Sequence, residues 1–140
     1  MNAQVRCWIV LLVLAAGVVS APPARGANGE YLFDTIKKRA YRASWDALLK
    51  GQRVDPWLAT FAKTKNGVCH PSKTVTLRGV GYQANFVCKP HDCGDNQFLV
   101  LFAPRGRKAW GLLLTDETKQ RFFGKPDAEM RAALVKAIRN

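Results

Sequence analysis

The stretch Lys73-Thr-Val-Thr-Leu-Arg-Gly-Val-Gly-Tyr-Gln-Ala-Asn-Phe-Val-Cys88 decides the fold class. Its first six residues alternate, with Val75 and Leu77 on one side and threonines on the other. That is the period of a strand with one wet face. Gly79-Val80-Gly81 supplies a turn and Tyr82–Cys88 returns, so the segment predicts an antiparallel hairpin.

Toward the C-terminus, Gln97-Phe-Leu-Val-Leu-Phe102 is uniformly apolar and suits the centre of a sheet. Pro104-Arg-Gly-Arg-Lys108 reads as a turn, Ala109-Trp-Gly-Leu-Leu-Leu114 as the next strand, and Gln120-Arg-Phe-Phe123 as a fifth. Pro126-Asp127 opens a helix to about Arg139, with Met130, Ala133, Leu134, Ala137 and Ile138 on one side. Toward the N-terminus, Lys65-Asn66-Gly67 marks a loop, and Asp55-Pro56-Trp57 starts a short helical turn reaching Phe61. From Tyr31 to Lys50, Leu32, Phe33, Ile36, Ala40, Tyr41, Trp45, Leu48 and Leu49 recur at helical spacing. The pattern predicts an amphipathic helix, broken near Ala43 where Ser44 can cap a second segment, and ended by Gly51. The whole predicts an α+β domain: an antiparallel meander of about five strands with short amphipathic helices packed on one face.

The first residues are expected to stand outside this domain. Met1–Arg6 carries one positive charge, Cys7–Val19 is almost wholly apolar, and Ser20-Ala-Pro-Pro-Ala-Arg-Gly-Ala27 is small and proline-rich. This is the plan of a secretory signal peptide, with residues 1–27 removed in whole or part and residues 28–140 forming a single domain. The apolar run falls short of the roughly 20 residues a spanning helix needs. Pro22 hinders a cut after Ala21, which favours cleavage after Ser20 or later. The reading implies an exported, periplasmic protein without a spanning segment.

Export governs how charge and cysteine are read. The net charge is +12, and cleavage after Ser20, which removes Arg6, leaves +11. In the cytosol such a balance suggests nucleic acid; outside it, the abundant polyanions are membrane surfaces and cell-wall polymers. The densest basic groups are Lys37-Lys38-Arg39 and Arg105-Gly-Arg107-Lys108, which otherwise read as solvated faces. Cys69, Cys88 and Cys93 survive processing, so one pair is expected to bridge and one thiol is left over. Closing a ring as small as 88–93 constrains the unfolded chain by only about 2 kcal/mol. Holding a local shape is the better reason for it.

The segment Cys88-Lys89-Pro90-His91-Asp92-Cys93-Gly94 links two predicted strands. Pro90 fixes a torsion, Gly94 is expected to permit a sharp exit, and the tip offers Lys89, His91 and Asp92. A loop rigid before binding loses little entropy on docking.

Cys88-Lys-Pro-His-Asp-Cys93 resembles the signature of the inhibitor of vertebrate lysozyme (Ivy) family. Gly51, Pro56-Trp57, the strand Lys73–Leu77, Tyr82 and Gly94 sit in matching places, and the similarity runs from about Trp45 to Leu114. The resemblance implies a periplasmic protein, often a homodimer, whose protruding loop plugs the cleft of c-type lysozyme. His91 would hydrogen-bond the enzyme's catalytic Glu and Asp, Lys89 and Asp92 would add polar contacts, and a Cys88–Cys93 bridge would hold the loop. The chemistry is consistent: lysozyme needs one protonated and one ionised carboxyl, and an imidazole can satisfy two carboxyls at once.

Other readings compete. His91-Asp92 also fits an ordinary surface turn. Cys69, His70, Cys88, His91 and Cys93 are the right elements for zinc, but paired Cys-x-x-Cys spacing is missing, so no metal or other cofactor is expected. A thiol oxidoreductase would want the same missing spacing. Trp45, Trp57 and Trp110 could stack on sugars, although at helical or strand spacing they read as core. No catalytic residues are identified and no enzyme is expected. Lysozymes of this class are basic, so a chain near +11 leaves two rivals open: control of endogenous lytic transglycosylases, or a non-inhibitory paralogue that binds the cell envelope or peptidoglycan.

Overall fold

A computed structural model describes residues 29–140; the expected signal peptide, residues 1–27, lies outside the described residues. Four short helices come first: α1 (Leu32–Thr35), α2 (Arg39–Leu49), α3 (Pro56–Ala59) and α4 (Phe61–Thr64). Five strands follow, β1 (Val68–Leu77), β2 (Val80–Cys88), β3 (Asn96–Phe102), β4 (Ala109–Thr115) and β5 (Lys119–Phe123), and α5 (Ala128–Ile138) closes the chain. The strands pair antiparallel in sequence order, a pure meander with β3 at its centre.

Alternation along β3 builds the core. Phe98, Val100 and Phe102 face one way, into a cluster with Leu32, Ile36, Trp45, Leu48, Leu58 and Phe61 from the first four helices. Leu99 and Leu101 face the other way, joining Ala84, Leu112, Met130 and Leu134 beneath α5. The short helices do cover one face, as expected, while α5 covers the opposite one. Each of these β3 side chains is at most 2% exposed, and full burial of one such side chain stabilises by about 1.5–3 kcal/mol. Trp45 lies wholly in this core, edge-on to Phe98.

Local differences from expectation have local causes. The helix break falls at 36–38 rather than near Ala43: Lys38 is extended (φ −75°, ψ 126°), and its ammonium reaches Glu30 at 2.8 Å. Ser44 caps nothing; it sits inside α2 and donates to the Tyr41 carbonyl. The helical turn after Asp55 continues through a second turn, α4. The hairpin turn is Arg78-Gly79, both at positive φ, because Leu77 pairs with Val80. That is the two-residue geometry whose twist suits a hairpin. β1 begins earlier than expected, at Val68, and bulges between His70 and Lys73. Gly29 and Glu30 clasp the bulge: Gly29 N–H donates to the Ser72 carbonyl, and Ser72 N–H to the Glu30 carbonyl, both at 2.9 Å.

Candidate functional site

The β2–β3 link projects from one end of the sheet. β2 places Cys88 in the buried layer, β3 restarts at Asn96, and a Cys88–Cys93 disulfide closes the segment between them with Cα atoms 5.0 Å apart. Within that ring the Asp92 amide donates to the Lys89 carbonyl at 3.1 Å. Pro90 therefore occupies the second position of a β-turn and His91 the third. His91 has φ +63°, the left-handed conformation a type II turn requires there. Glycine or asparagine normally supplies it; for other residues it costs on the order of 1–3 kcal/mol. The expectation for Gly94 is not met: it is not at positive φ, and a Cβ there would meet nothing within 4 Å. Strain in this loop falls on the histidine.

What holds His91 there is a set of braces. The Lys89 ammonium lies 2.9 Å from the Asp92 carboxylate, which also accepts from the Asn96 amide group at 2.8 Å. Lys89 N–H donates to the Asn96 carbonyl, Asn96 N–H to the Asp92 carbonyl, and the Gln97 side chain to the Cys93 carbonyl at 2.8 Å. The hydrogen bond from Lys89, then that from Asn96, holds the Asp92 carboxyl below its ordinary pKa, and the hydrogen bond to Asp92 with the charge of that carboxylate raises Lys89. Lys89 and Asp92 thus engage each other. His91 is exposed, and its imidazole makes no hydrogen bond among the described residues. Asn96 and Gln97 escaped the sequence reading, although a polar pair opening an otherwise apolar strand was the available signal.

Acid collects at this end. The β4–β5 turn lies against the loop through the Asp116 amide and the Asp95 carbonyl, 2.9 Å apart. Asp92, Asp95, Asp116 and Glu117 therefore stand together, with Asp55 close enough to raise Lys89 further. These are five of the ten acidic residues in the chain. Lys119 pairs with Asp116 at 2.5 Å, while Asp95 and Glu117 have no ionic partner among the described residues.

The tip is convex. A groove of about 840 Å³ along α5 touches the loop only at Cys88, Cys93 and Gln97, and His91 lines neither it nor the smaller cavity by Asp55. Among the described residues no group of three or more histidine, cysteine or acidic side chains is placed to hold a metal. Cys69 is a free, half-buried thiol, apart from the bridged pair. Trp57 and Trp110 are half-buried against opposite core clusters.

Comparison with known proteins places the whole chain rather than the loop. The family model described as inhibitor of vertebrate lysozyme (Ivy) matches residues 40–140, reaching beyond the Trp45–Leu114 resemblance on both sides. A Pseudomonas aeruginosa protein named inhibitor of vertebrate lysozyme is 30% identical over 144 residues, covering 93% of this chain and 92% of its own length. An uncharacterised Yersinia pestis protein is 30% identical over 115 residues, covering 79% and 73% respectively. An Escherichia coli K12 protein, also named inhibitor of vertebrate lysozyme, is 27% identical over 108 residues, covering 77% and 66%. The chain belongs to the inhibitor of vertebrate lysozyme (Ivy) family.

Proposed function

We propose that this protein is an exported, periplasmic inhibitor of c-type lysozyme that occludes the enzyme's cleft with the Cys88–Cys93 loop. The observation that carries the reading is His91: an exposed, unpartnered imidazole in a strained conformation, fixed by a bridge and an ion pair before any partner arrives. Strain over-determined by its surroundings points to use at that residue. His91 enters between the two catalytic carboxyl groups, donating from both nitrogens when charged, or donating from one and accepting at the other when neutral. Nothing in the plug is a glycosidic bond, so nothing is cleaved. Lys89, Pro90 and Asp92 set the shape of the tip. The leader, residues 1–27, delivers a single inhibitory domain, residues 28–140, to the periplasm.

A second reading, control of endogenous lytic transglycosylases, is favoured by the strongly basic balance of the chain, +12 in full and about +11 after loss of Arg6, which repels a basic lysozyme at long range. Asp55, Asp95 and Glu117, the acids around the loop without an ionic partner among the described residues, weigh for lysozyme, since they offer a basic enzyme attraction where contact is made.

Turbidity assays of peptidoglycan lysis, titrated with wild-type protein and His91→Ala, test the proposal. Loss of about 2–4 kcal/mol of affinity, roughly 30- to 1,000-fold, is the expected result for the variant. Equal inhibition constants for the two proteins reject the role of His91. Inhibition of a transglycosylase but not of lysozyme selects the second reading, and retention on peptidoglycan without inhibition of either enzyme selects a wall-binding paralogue.

A further inference from the structure

The two basic clusters that stand out in the sequence meet at the end of the sheet opposite the loop. Gly106, in the β3–β4 turn, packs so closely under Tyr41 that a Cβ would lie 2.7 Å from the ring and 2.8 Å from the Tyr41 amide. Arg39 stands two residues before Tyr41, and Arg105 and Arg107 flank Gly106. Gly124 packs against the Ala109 carbonyl, which brings Lys125 beside Lys108. Lys37 and Lys38 are paired with Asp34 and Glu30. Arg39, Arg105, Arg107, Lys108 and Lys125 have no ionic partner among the described residues. The seven-residue β3 separates this end from the loop by roughly 20 Å.

We propose that this basic end docks on an anionic phospholipid surface, holding the molecule with the His91 loop turned away from the bilayer. Five unpaired cations brought together from three parts of the chain would suit many polyanions. The neighbours favour lipid. The Lys108 ammonium lies 4.8 Å over the half-buried Trp110 ring, Tyr82 meets that ring edge-on, and Val80 stands 39% exposed at the adjoining hairpin turn. Indole and phenol rings beside long cationic side chains are the composition of a membrane interface, where apolar bodies meet the headgroups and charged tips meet phosphate. The reading does not rest on lysozyme being the target, since it concerns the other end of the molecule.

The experiment uses protein recovered from exporting cells, its N-terminus read by mass spectrometry so that the apolar run 7–19 does not contribute. Binding to vesicles of phosphatidylcholine alone is compared with binding to vesicles containing phosphatidylglycerol. Wild-type protein should sediment with the anionic vesicles only, and added salt should release it. Each cation near such a surface contributes about five-fold in partition, so the triple variant Arg39→Gln, Arg107→Gln, Lys108→Gln should bind on the order of 100-fold more weakly. A control that removes the same charge toward the loop end of the sheet, Arg53→Gln, Lys63→Gln, Lys119→Gln, should stay within about five-fold of wild type, as befits cations distant from the surface. Brominated acyl chains should quench tryptophan fluorescence in wild type and much less in Trp110→Phe. Equal losses in the two triple variants would make the attraction unlocalised and overturn the proposal. So would absence from anionic vesicles, or capture by dextran sulfate alone.

Discussion

The Lys89 ammonium lies 2.9 Å from the Asp92 carboxylate, and the pair brackets the two residues, Pro90 and His91, at the apex of the loop. The Asp92 pKa is depressed, so the bracing it provides is complete above the ordinary carboxylate range and is lost as pH falls through the lowered value. Lys89 is raised, so its half is present below the ordinary lysine range and fails only as pH climbs through the raised value. Between those limits the loop should be rigid. Protection of the backbone amides of Lys89 and of residues 91–96, measured against the free-chain exchange rate at the same pH, should fall under strong acid in wild type; in Asp92→Asn it should already be low at neutral pH.

Replacing His91 by glycine separates stability from function. Glycine adopts positive φ without the steric penalty, so His91→Gly should unfold at equal or greater stability, by up to about 1 kcal/mol, while losing inhibition as His91→Ala does. Chemical denaturation beside a lysis titration checks both halves. A variant less stable by more than about 1 kcal/mol would show that the loop does not strain its histidine.

The bridge should matter more to the loop than to the fold. Cys88→Ala with Cys93→Ala should lower stability by about 2 kcal/mol, the loop-entropy value for so small a ring. Inhibition should fall further than this loss of folded protein explains, because an open loop must be ordered on docking. Inhibition measured well below the melting temperature, where both proteins are folded, makes the comparison.

Burial pushes the Cys69 thiol up to about 11. At neutral pH the thiolate is then about 100-fold scarcer than for the ordinary value of 9.0, and alkylation by iodoacetamide should be slower by at least that factor. The rate should rise about tenfold per pH unit until it levels near 11. The folded protein should also run as a monomer on non-reducing electrophoresis. A reductant-sensitive dimer band would assign Cys69 to a link between copies.

Gly106→Ala should be costly, because it combines φ +69° with a methyl group pressed into Tyr41. Strain and overpacking together predict a loss of about 2–4 kcal/mol in thermal or denaturant unfolding.

The hairpin from Lys73 to Cys88 was legible because alternation reports directly on which face is wet. Coverage of both sheet faces was legible in principle: five consecutive apolar residues, Phe98–Phe102, cannot be buried by a layer on one side alone. The break after Ile36 was not, since Lys38 is held extended while bonded to Glu30, and the hydrophobic stripe runs on across the gap. At the loop, the bridge and the exposed tip could be read from Cys88, Pro90 and Cys93. The strain could not, because Gly94 looked like the flexible point and the turn instead closes through Lys89 and Asp92, with His91 at positive φ. Nor could the acidic surround, which depends on the β4–β5 turn arriving beside Asp95, a contact no local pattern announces.

The clasp of Gly29 and Glu30 on Ser72 bears on how this protein survives at high concentration. β1 is an outer strand, and a long outer strand is a template on which stray chains can add. Its bulge, clasped by Gly29 and Glu30 at the start of the described residues, interrupts that template part-way along its length. Trimming the chain beyond residue 30 would therefore do more than shorten a tail: it would uncover a sticky border on which copies of the chain could add as fibres.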